Sequence, residues 1–442
     1  MRILIVTWFF PPANTMGALR VGKFADFLVR QGHEVRVVTA DFKGAAPPLD
    51  TVPPCPVVRT GWWDVNALPQ RLIRPPTRRS PASAGAAAAE TGADPTGPAG
   101  DAGPSRPGLK RRLGRAYQAL TNFPDKRVGW IPHAVRAGRR ELAAFDADVV
   151  FASAPPFSTL VAGALLARRA GKPYVVEMRD RWSDDPYRVV SRLRGWLERR
   201  LESWVMRQAT GIVTVSEPWA RQYAQLWTKP TETVLNGFDP ADIARAAARP
   251  ARPAEPDVLV ISHVGRIYPG RRDPSVLLQA IRQLGAAERR QIRVDFVGEN
   301  EGIAELADRH DVRDNVHLVA PLPYLDALRR QMDSDIVLLL QWDDPAEQGN
   351  VPGKLFEYLA THRPILGHGY TDGVPARIIA QQGAGLYSND PEAVAQYLAA
   401  RLAEKQRTGR VTGNPDTVAA GFDRDTAYAK LTTFMASLTK TQ

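Results

Sequence analysis

Cysteine is almost absent from the 442-residue sequence, in which Cys55 is the single example. One cysteine excludes an intramolecular disulfide framework and suits a reducing compartment. Long apolar runs are missing as well, since no stretch approaches the roughly 20 apolar residues that a membrane-spanning helix requires. The apolar segment at 3–12 is too short for a signal peptide and contains Pro11 and Pro12. We therefore expect a cytoplasmic protein, either soluble or peripheral at the inner face of the membrane.

Two common nucleotide-binding patterns are also missing. No G-x-G-x-x-G follows the first apolar segment at 3–7, and no glycine-rich loop ends in a Walker lysine. The first pattern holds the pyrophosphate of a dinucleotide, and the second cradles the phosphates of a nucleoside triphosphate. Their absence argues against a nicotinamide-dependent dehydrogenase and against a P-loop nucleotide hydrolase.

Positive charge is in excess and unevenly distributed. The formal net charge is +11, and residues 71–140 carry 14 Lys and Arg against 4 acidic residues. A localised basic segment indicates an anionic partner, whereas a solvated loop flanked by arginines explains the same pattern without one. Since no recognised nucleic-acid-binding module accompanies the charge, we expect no nucleic acid partner. The functional alternative is peripheral contact with an anionic membrane through residues 71–140.

Apolar runs alternate with amphipathic helices along the chain, an order typical of parallel α/β sheets. A buried strand at 3–7 leads to a helix at 18–30 and a strand at 34–39. After a break at 246–256 that is rich in Ala, Arg and Pro, the alternation restarts with a strand at 258–264. The 44 % of hydrophobic residues can bury a core in each half. The predicted fold class is α/β, with two Rossmann-like domains whose parallel sheets face a central cleft.

The predicted domains are residues 1–235 and 236–420, followed by a C-terminal helical segment at 421–442. Within the first domain, residues 82–107 are mostly Ala, Gly, Pro, Ser and Thr and cannot bury enough apolar surface to order themselves. We predict a disordered insertion there, spanning about 76–108 with its flanks. A helix predicted at 192–207 carries tryptophans and arginines, and either packs half-buried on the sheet or lies on a membrane surface.

The segment 349–360 contains the most informative residues of the chain. A loop with glycine and proline opens a short helix just after the apolar run at 336–340. A helix N-terminus favours an anion, and Lys354 in the first turn adds a full positive charge. Glu357 lies three residues further on and shares a helical face with Lys354. This pair suits the diphosphate and ribose of a nucleoside diphosphate, although ordinary surface Lys–Glu pairs have the same spacing.

Three arginines follow the first strand of the second half. Gly265 and Arg266 end that strand, and Arg271 and Arg272 lead into the next helix. In open α/β sheets ligands bind beyond the carboxyl ends of the strands, so these arginines are placed to meet phosphates. Surface arginines on a loop are the alternative interpretation.

Loops of the first half end at a corresponding edge. Arg179 and Asp180 follow the strand at 174–178, Ser153 closes the strand at 149–152, and Gly17 lies at the start of the first helix. Because the carboxyl ends of parallel strands share one edge, we expect these loops to converge. A satisfied ion pair would account for the charged residues after strand 174–178 equally well.

With these residues in hand, the chain resembles a family 4 glycosyltransferase of the GT-B fold over nearly its whole length. The resemblance rests on the order and spacing of several short motifs rather than on any one of them. They are Thr7 to Pro12, Gly32 to Val35, Pro124 to Arg127, Ser153 to Ser158, Arg179 to Trp182, Asn236 to Asp239, Gly265 to Asp273 and Lys354 to Tyr358.

The resemblance implies a retaining transfer of a sugar from a nucleoside diphosphate sugar, without a metal ion or other cofactor. Glu357 would hold the ribose, while Lys354, Arg266 and one of Arg271 or Arg272 would bind the diphosphate. The final helix would cross back to the first domain.

Further site residues follow from the same resemblance. Gly17 would let the N-terminal helix approach the donor phosphate, and Gly265 and Asn350 would complete the nucleotide-sugar site. We expect Asp180 to assist the acceptor in place of a histidine that many family members carry, with Ser153 and Arg179 on the acceptor side. The acceptor itself would be a glycan, a lipid-linked sugar or a small molecule in surface polysaccharide or glycolipid assembly.

Two departures from the family pattern stand out. Many members carry a glutamate eight positions before the ribose-binding one, where this chain has Gly349, with Glu347 nearby. Many also place a histidine after the strand at 149–152, where this chain has Ser153. Two alternatives to a hexosyl- or N-acetylhexosaminyl-type transferase stay open: a nucleotide-sugar 2-epimerase of GT-B fold, and a non-catalytic lipid- or glycan-binding relative.

Overall fold

The structure, a computed structural model, describes residues 1–42, 49, 52–66, 117, 121–253, 255–268 and 270–440. These residues form two compact units. The first unit contains Met1–Val234 and Tyr428–Gln442, and the second contains Leu235–Ala427. The predicted insertion at 76–108 lies outside the described residues, and so does most of the basic segment at 71–140.

The elements of the first unit alternate between strand and helix. They are β1 (Arg2–Val6), α1 (Met16–Arg30), β2 (Glu34–Ala40), β3 (Val57–Thr60), α2 (Ile131–Phe145), β4 (Val149–Ala154), α3 (Ser158–Ala170), β5 (Tyr174–Met178), α4 (Arg192–Gln208), β6 (Gly211–Thr214), α5 (Glu217–Trp227) and β7 (Thr231–Thr233).

The second unit repeats this alternation. Its elements are α6 (Pro240–Ala247), β8 (Leu259–Val264), α7 (Ser275–Gln283), α8 (Ala286–Arg289), β9 (Ile292–Val297), α9 (Ile303–Arg309), β10 (Val316–Val319), α10 (Tyr324–Met332), β11 (Ile336–Leu340), α11 (Lys354–Ala360), β12 (Ile365–His368), α12 (Val374–Gln381), β13 (Gly385–Tyr387) and α13 (Pro391–Thr408).

Each unit is built on one parallel sheet. The strand order is β3-β2-β1-β4-β5-β6-β7 in the first and β10-β9-β8-β11-β12-β13 in the second. Central strands such as β4 and β11 are buried along their whole length, as expected of parallel strands with helices on both faces. In both sheets the order reverses beside the first strand, at β1/β4 and at β8/β11. Doubly wound sheets bind ligands beyond the carboxyl ends of the strands at such a reversal.

The C-terminal helix α14 (Arg424–Thr439) belongs to the first unit from Tyr428 onward. The Tyr428 hydroxyl donates to the backbone oxygen of Arg20 at 2.9 Å, and the Tyr428 ring lies 5.3 Å from that of Phe24. Leu431 and Met435 are buried on the same helix. A side chain in place of Gly211 would collide with α14, so this close packing requires a glycine at the start of β6.

The α/β fold class predicted from the sequence is confirmed. The short strands β3, β7, β10 and β13 were not among the predicted ones, because their partly exposed residues lack a long apolar run. In the part of the chain that the structure describes, no helix combines the length and the apolar character needed to cross a bilayer.

Candidate active site

The Lys354 side chain approaches the backbone of Gly265 closely at the carboxyl end of β8 in the second unit. Gly265 has φ +129°, a conformation that residues with a side chain rarely adopt. A Cβ at this position would lie 2.6 Å from Nζ of Lys354, closer than real atoms approach. Glycine at 265 therefore makes the room that the Lys354 ammonium occupies.

The helix that carries Lys354 is anchored to the sheet by Tyr358. This buried hydroxyl accepts a hydrogen bond from the Val264 N–H at 3.3 Å and donates one to the Leu338 carbonyl at 3.2 Å. It thereby ties α11 to β8 and β11, the two strands at the reversal of strand order. Leu355, Phe356 and Leu359 pack the rest of α11 into the core.

Lys354 is held in an environment that disfavours its charge. Burial and the positive charge of Arg272 together lower the pKa of its ammonium to about 7, against the opposing effect of Glu357. An anion bound beside Lys354 would restore its charge, because it would compensate both the burial and the repulsion.

The three predicted arginines are in different states. Arg266 pairs with Glu299 at 2.8 Å, and both side chains are exposed. Arg271 lies over the Trp342 ring at 4.8 Å, just beyond the end of β11. Arg272 lies over the Tyr268 ring at 4.6 Å, and its Nε is buried without a hydrogen-bond partner in the described residues. Arg272 is therefore the arginine with an unmet donor near Lys354.

Glu357 lies one turn after Lys354 and is 8 % exposed. It accepts a hydrogen bond from the Tyr324 hydroxyl at 3.1 Å. Burial raises the pKa of its carboxyl, against the opposing charge of Arg424 and hydrogen bonds from Tyr324 and Gln331. The carboxylate thus has protein donors on it already, and a ribose hydroxyl would share or replace them.

Asn350 is joined to a buried carboxylate. Its side-chain amide lies 3.2 and 2.9 Å from the two oxygens of Glu347, which is 2 % exposed. The amide of Gln341, at the end of β11, donates to Glu347 at 3.5 Å and to the Asn350 carbonyl at 3.2 Å. Glu347 thus lies inside the loop that contains Gly349, where it holds Asn350 in place.

A charged network is buried at the carboxyl edge of the first sheet. Glu177, at 2 % exposure, accepts from Arg20 Nε at 3.0 Å and Nη2 at 2.8 Å and from the Ser153 hydroxyl. Burial acts to raise the pKa of this carboxyl, but the charges of Arg20 and Arg179 outweigh it and hold the pKa below its usual value. Glu177 is therefore ionised and fully hydrogen-bonded.

Arg179 extends this network to the start of α1. Its Nε donates to the Ser153 hydroxyl at 3.1 Å and its Nη2 to the Pro155 carbonyl at 2.9 Å. A Cβ on Gly17 would lie 3.1 Å from Arg179 Nη2, so a glycine leaves room for the guanidinium. The predicted residues Gly17, Ser153 and Arg179 therefore lie together, and Asp180 is exposed on the loop beside them.

Neighbouring motif residues fix the loops of this edge. The Asp125 carboxylate accepts from the Ser158 N–H and hydroxyl, both at 2.8 Å, at the beginning of α3. The Phe157 ring stacks on Trp182 at 4.7 Å with an interplanar angle of 5°. These contacts join the loops after β4 and β5, which carry Ser153 and Arg179.

Arg20, Tyr324 and Gln331 were missed by sequence reasoning. Arg20 lies within the apolar face of α1, among Ala18, Leu19, Val21 and Phe24. A charged residue there has to find a buried partner, and this signal could have identified it. Tyr324 and Gln331 reach Glu357 from α10, a contact between distant segments that leaves no local trace in the sequence.

Comparison with known proteins gives the family. Residues 95–242 match the family model described as Glycosyltransferase Family 4, and residues 258–404 match the one described as Glycosyl transferases group 1. Together the two matches cover more than half of the chain. The chain belongs to the family 4 type of glycosyltransferases, as its motifs indicated. No curated protein matches its sequence.

Several solved structures have the same fold. Sucrose-phosphate synthase from Thermosynechococcus elongatus has a TM-score of 0.62 at 14 % identity, with 100 % of both chains covered. Anabaena HepE in complex with UDP has a TM-score of 0.58 at 13 % identity, with 99 % of this chain and 100 % of that chain covered. The lipopolysaccharide outer core galactosyltransferase WaaB has a TM-score of 0.54 at 10 % identity, with 99 % of each covered. The predicted GT-B fold is confirmed.

Proposed function

We propose that this transferase takes its sugar from a nucleoside diphosphate sugar and binds the diphosphate with Lys354 and Arg272. The observation that carries the proposal is the Lys354 ammonium packed closely against Gly265, where burial and the positive charge of Arg272 lower its pKa to about 7. A diphosphate between them would satisfy the unmet Arg272 donor and relieve the repulsion. Arg266 and Arg271 flank the same loop and would add further positive charge.

The chemistry follows from the charges. When the bond between the anomeric carbon and the diphosphate oxygen breaks, negative charge grows on the leaving diphosphate, and cations already in place stabilise it. The acceptor hydroxyl forms the new glycosidic bond, and its proton passes to the departing phosphate. Attack from the same face as the leaving group retains the anomeric configuration and requires neither an enzyme nucleophile nor a metal ion.

Other roles belong to the same proposal. Glu357 would accept hydrogen bonds from the ribose, and Asn350, held by Glu347, would contribute to the nucleotide-sugar site. Gly17 would admit the donor phosphate, Asp180 would assist the acceptor hydroxyl, and Ser153 and Arg179 would lie on the acceptor side. The Arg179 guanidinium donates to the Ser153 hydroxyl, which in turn donates to Glu177, and these contacts support a positioning role for Ser153 and Arg179.

We further propose a place for the reaction in surface polysaccharide or glycolipid biosynthesis at the cytoplasmic side of the membrane. The fold-level likeness to a lipopolysaccharide galactosyltransferase is compatible with this. Since HepE of the same fold binds UDP, uridine is the base to test first.

The test is a thermal-shift experiment on the purified chain with UDP, GDP, ADP and dTDP. A ligand that binds the native state alone stabilises it by about 2.7 kcal/mol at a hundred times its Kd. We expect one nucleotide to raise the Tm, Lys354→Ala to abolish that shift, and the control Lys229→Ala to keep it. No shift with any nucleotide, or an undiminished shift in Lys354→Ala, would contradict the placement of the site.

Product analysis separates the two enzyme classes. The transferase yields a new glycoside and free nucleoside diphosphate only when acceptor is present. An altered nucleotide sugar formed without acceptor would instead identify a 2-epimerase.

A further inference from the structure

The outer surface of helix α4 in the first unit separates charge by sign. Its two carboxylates, Glu198 and Glu202, are 0 % and 4 % exposed. Glu198 holds the guanidinium groups of Arg188 at 3.0 Å and Arg194 at 2.7 Å. Glu202 accepts hydrogen bonds from Ser183, and burial raises the pKa of its carboxyl to about 7. The exposed charges of this helix are therefore all positive, namely Arg192, Arg199, Arg200 and Arg207.

Large apolar side chains are exposed beside these arginines. Val189 is 97 % exposed, Leu193 69 %, Trp196 47 % and Leu197 40 %. Leu193, Trp196 and Leu197 have the i, i+3, i+4 spacing that places side chains on one helical face. Of the ten large apolar side chains exposed in the described residues, these four lie within nine positions of one another. Single exposed apolar residues are ordinary, but a group of them marks an interaction surface.

Tryptophan and arginine are joined within this surface. The Arg200 guanidinium lies 5.1 Å from the centre of the Trp196 ring. An indole has an apolar body and a polar N–H, and an arginine has an apolar stem and a charged head. Both side chains suit the boundary between lipid headgroups and acyl chains, where an apolar end is buried and a polar end stays wet.

The positive character extends onto the neighbouring helices. Helix α3 packs against both α2 and α4. The exposed charges of α2 and α3 are arginines, at 136, 139 and 140 on α2 and at 168 and 169 on α3. Glu141, the one carboxylate of these two helices, is 18 % exposed and pairs with Arg36. The exposed charges of the three adjacent helices α2, α3 and α4 are therefore all positive.

We propose that α4 lies on an anionic lipid bilayer, with Val189, Leu193, Trp196 and Leu197 inserted at the headgroup boundary and Arg192, Arg199 and Arg200 on lipid phosphates. We call these seven residues the α4 docking face. Charge complementarity selects this occupant, since an anionic surface neutralises the arginines while the apolar side chains leave water. A second copy docked through the same face would bring like charges together. The proposal goes beyond the proposed function and does not depend on it.

The test is co-sedimentation of the full chain with vesicles of phosphatidylcholine alone or mixed with phosphatidylglycerol. We expect binding to the mixed vesicles, with more than about tenfold loss in the variant Arg192→Glu, Arg199→Glu, Arg200→Glu, because each basic residue near the surface adds severalfold to binding. Leu193→Ser with Trp196→Ser should also weaken binding, which a purely electrostatic contact would not show.

A matched control reverses three exposed arginines of the second unit: Arg282→Glu, Arg290→Glu, Arg309→Glu. It changes the net charge by the same amount and should bind vesicles like the parent chain. Equal loss in this control would show a diffuse effect of net charge and overturn the proposal. Undiminished vesicle binding by the docking-face variants would also overturn it. The proposal would likewise be overturned if the parent chain bound no vesicles but self-associated, and the docking-face variants lost that self-association.

Folding of each variant is checked by circular dichroism and by its Tm. If the triple variant does not fold, insertion of Trp196 is tested by the quenching of tryptophan fluorescence by brominated lipid, compared between the parent chain and Trp196→Phe. We expect the parent to be quenched more strongly than Trp196→Phe, and equal quenching would overturn the insertion of Trp196.

Discussion

The two clusters of candidate residues differ in how their charges are balanced. At the edge of the first sheet, Glu177 neutralises Arg20 and lies beside Arg179, with Ser153 between the side chains. At the edge of the second sheet, Lys354 and Arg272 repel each other, and an Arg272 donor has no partner in the described residues. The first cluster is complete within the protein, whereas we propose that a bound anion completes the second. Altering the first cluster should therefore destabilise the fold, whereas altering the second should weaken ligand binding.

The largest effect on stability is expected for Glu177→Gln. This change leaves Arg20 buried at 7 % exposure without its charge partner, and breaking a buried ion pair costs about 3–5 kcal/mol. Urea unfolding measures the loss. The control Glu217→Gln removes an exposed partner of Arg221 and should cost less than about 1 kcal/mol. Similar losses in both variants would show that the first cluster is not a stabilising network.

The largest effect on turnover is expected for Lys354→Ala. Removing a preorganised group that stabilises developing charge lowers the rate by about 10² to 10³-fold. The Tm of the free protein should not fall, because burial and the charge of Arg272 already disfavour the charged ammonium that the substitution removes. Initial rates with the nucleotide sugar that the thermal-shift screen identifies test this. If Lys354→Ala turned over as fast as the control Lys229→Ala, Lys354 would have no role in stabilising the leaving diphosphate.

The pH dependence of nucleotide binding sharpens the comparison further. The pKa of Lys354 in the free protein is about 7, and a bound anion raises it. Affinity for UDP or the preferred nucleotide should therefore stay high at and below neutral pH and fall as pH rises above 7, by about fivefold between pH 7 and 8. Lys354→Arg keeps its charge across this range, so its affinity should not fall. Calorimetric titration at both pH values distinguishes the profiles, and identical slopes would exclude Lys354 as the titrating group.

The smallest effect on stability is expected for Gly17→Ala. Alanine favours a helix over glycine by about 0.5–1 kcal/mol, but its Cβ would lie 3.1 Å from Arg179 Nη2 and displace it slightly. We expect a net change in unfolding free energy within about 0.5 kcal/mol, together with a severalfold loss of turnover. The control Gly195→Ala in α4 meets no atom closer than 3.4 Å and should keep full turnover. Unchanged turnover in Gly17→Ala would remove Gly17 from the site.

The motifs predicted more of the fold than of the site. Apolar runs identified the central strands β5 and β11 with their exact bounds, because a strand buried on both faces leaves a continuous local pattern. The edge strands β3 and β13 left no such pattern. Within the site, the sequence indicated that Lys354 and Gly265 lie at the ends of their elements. It did not predict that the two residues approach each other, because they are 89 positions apart in the sequence.

The order of amino acids alone sets the alternation of strands and helices and puts cations and glycines at strand ends, because these patterns depend on neighbours a few residues apart. Only the tertiary structure decides which charges are satisfied. Arg266 pairs with Glu299 and Arg20 with Glu177, while Arg272 keeps an unmet donor. On α4 the tertiary structure likewise buries both glutamates and exposes four of the five arginines. Pairing and burial depend on which distant segments pack together, and charge at the surface depends on what packing leaves outside.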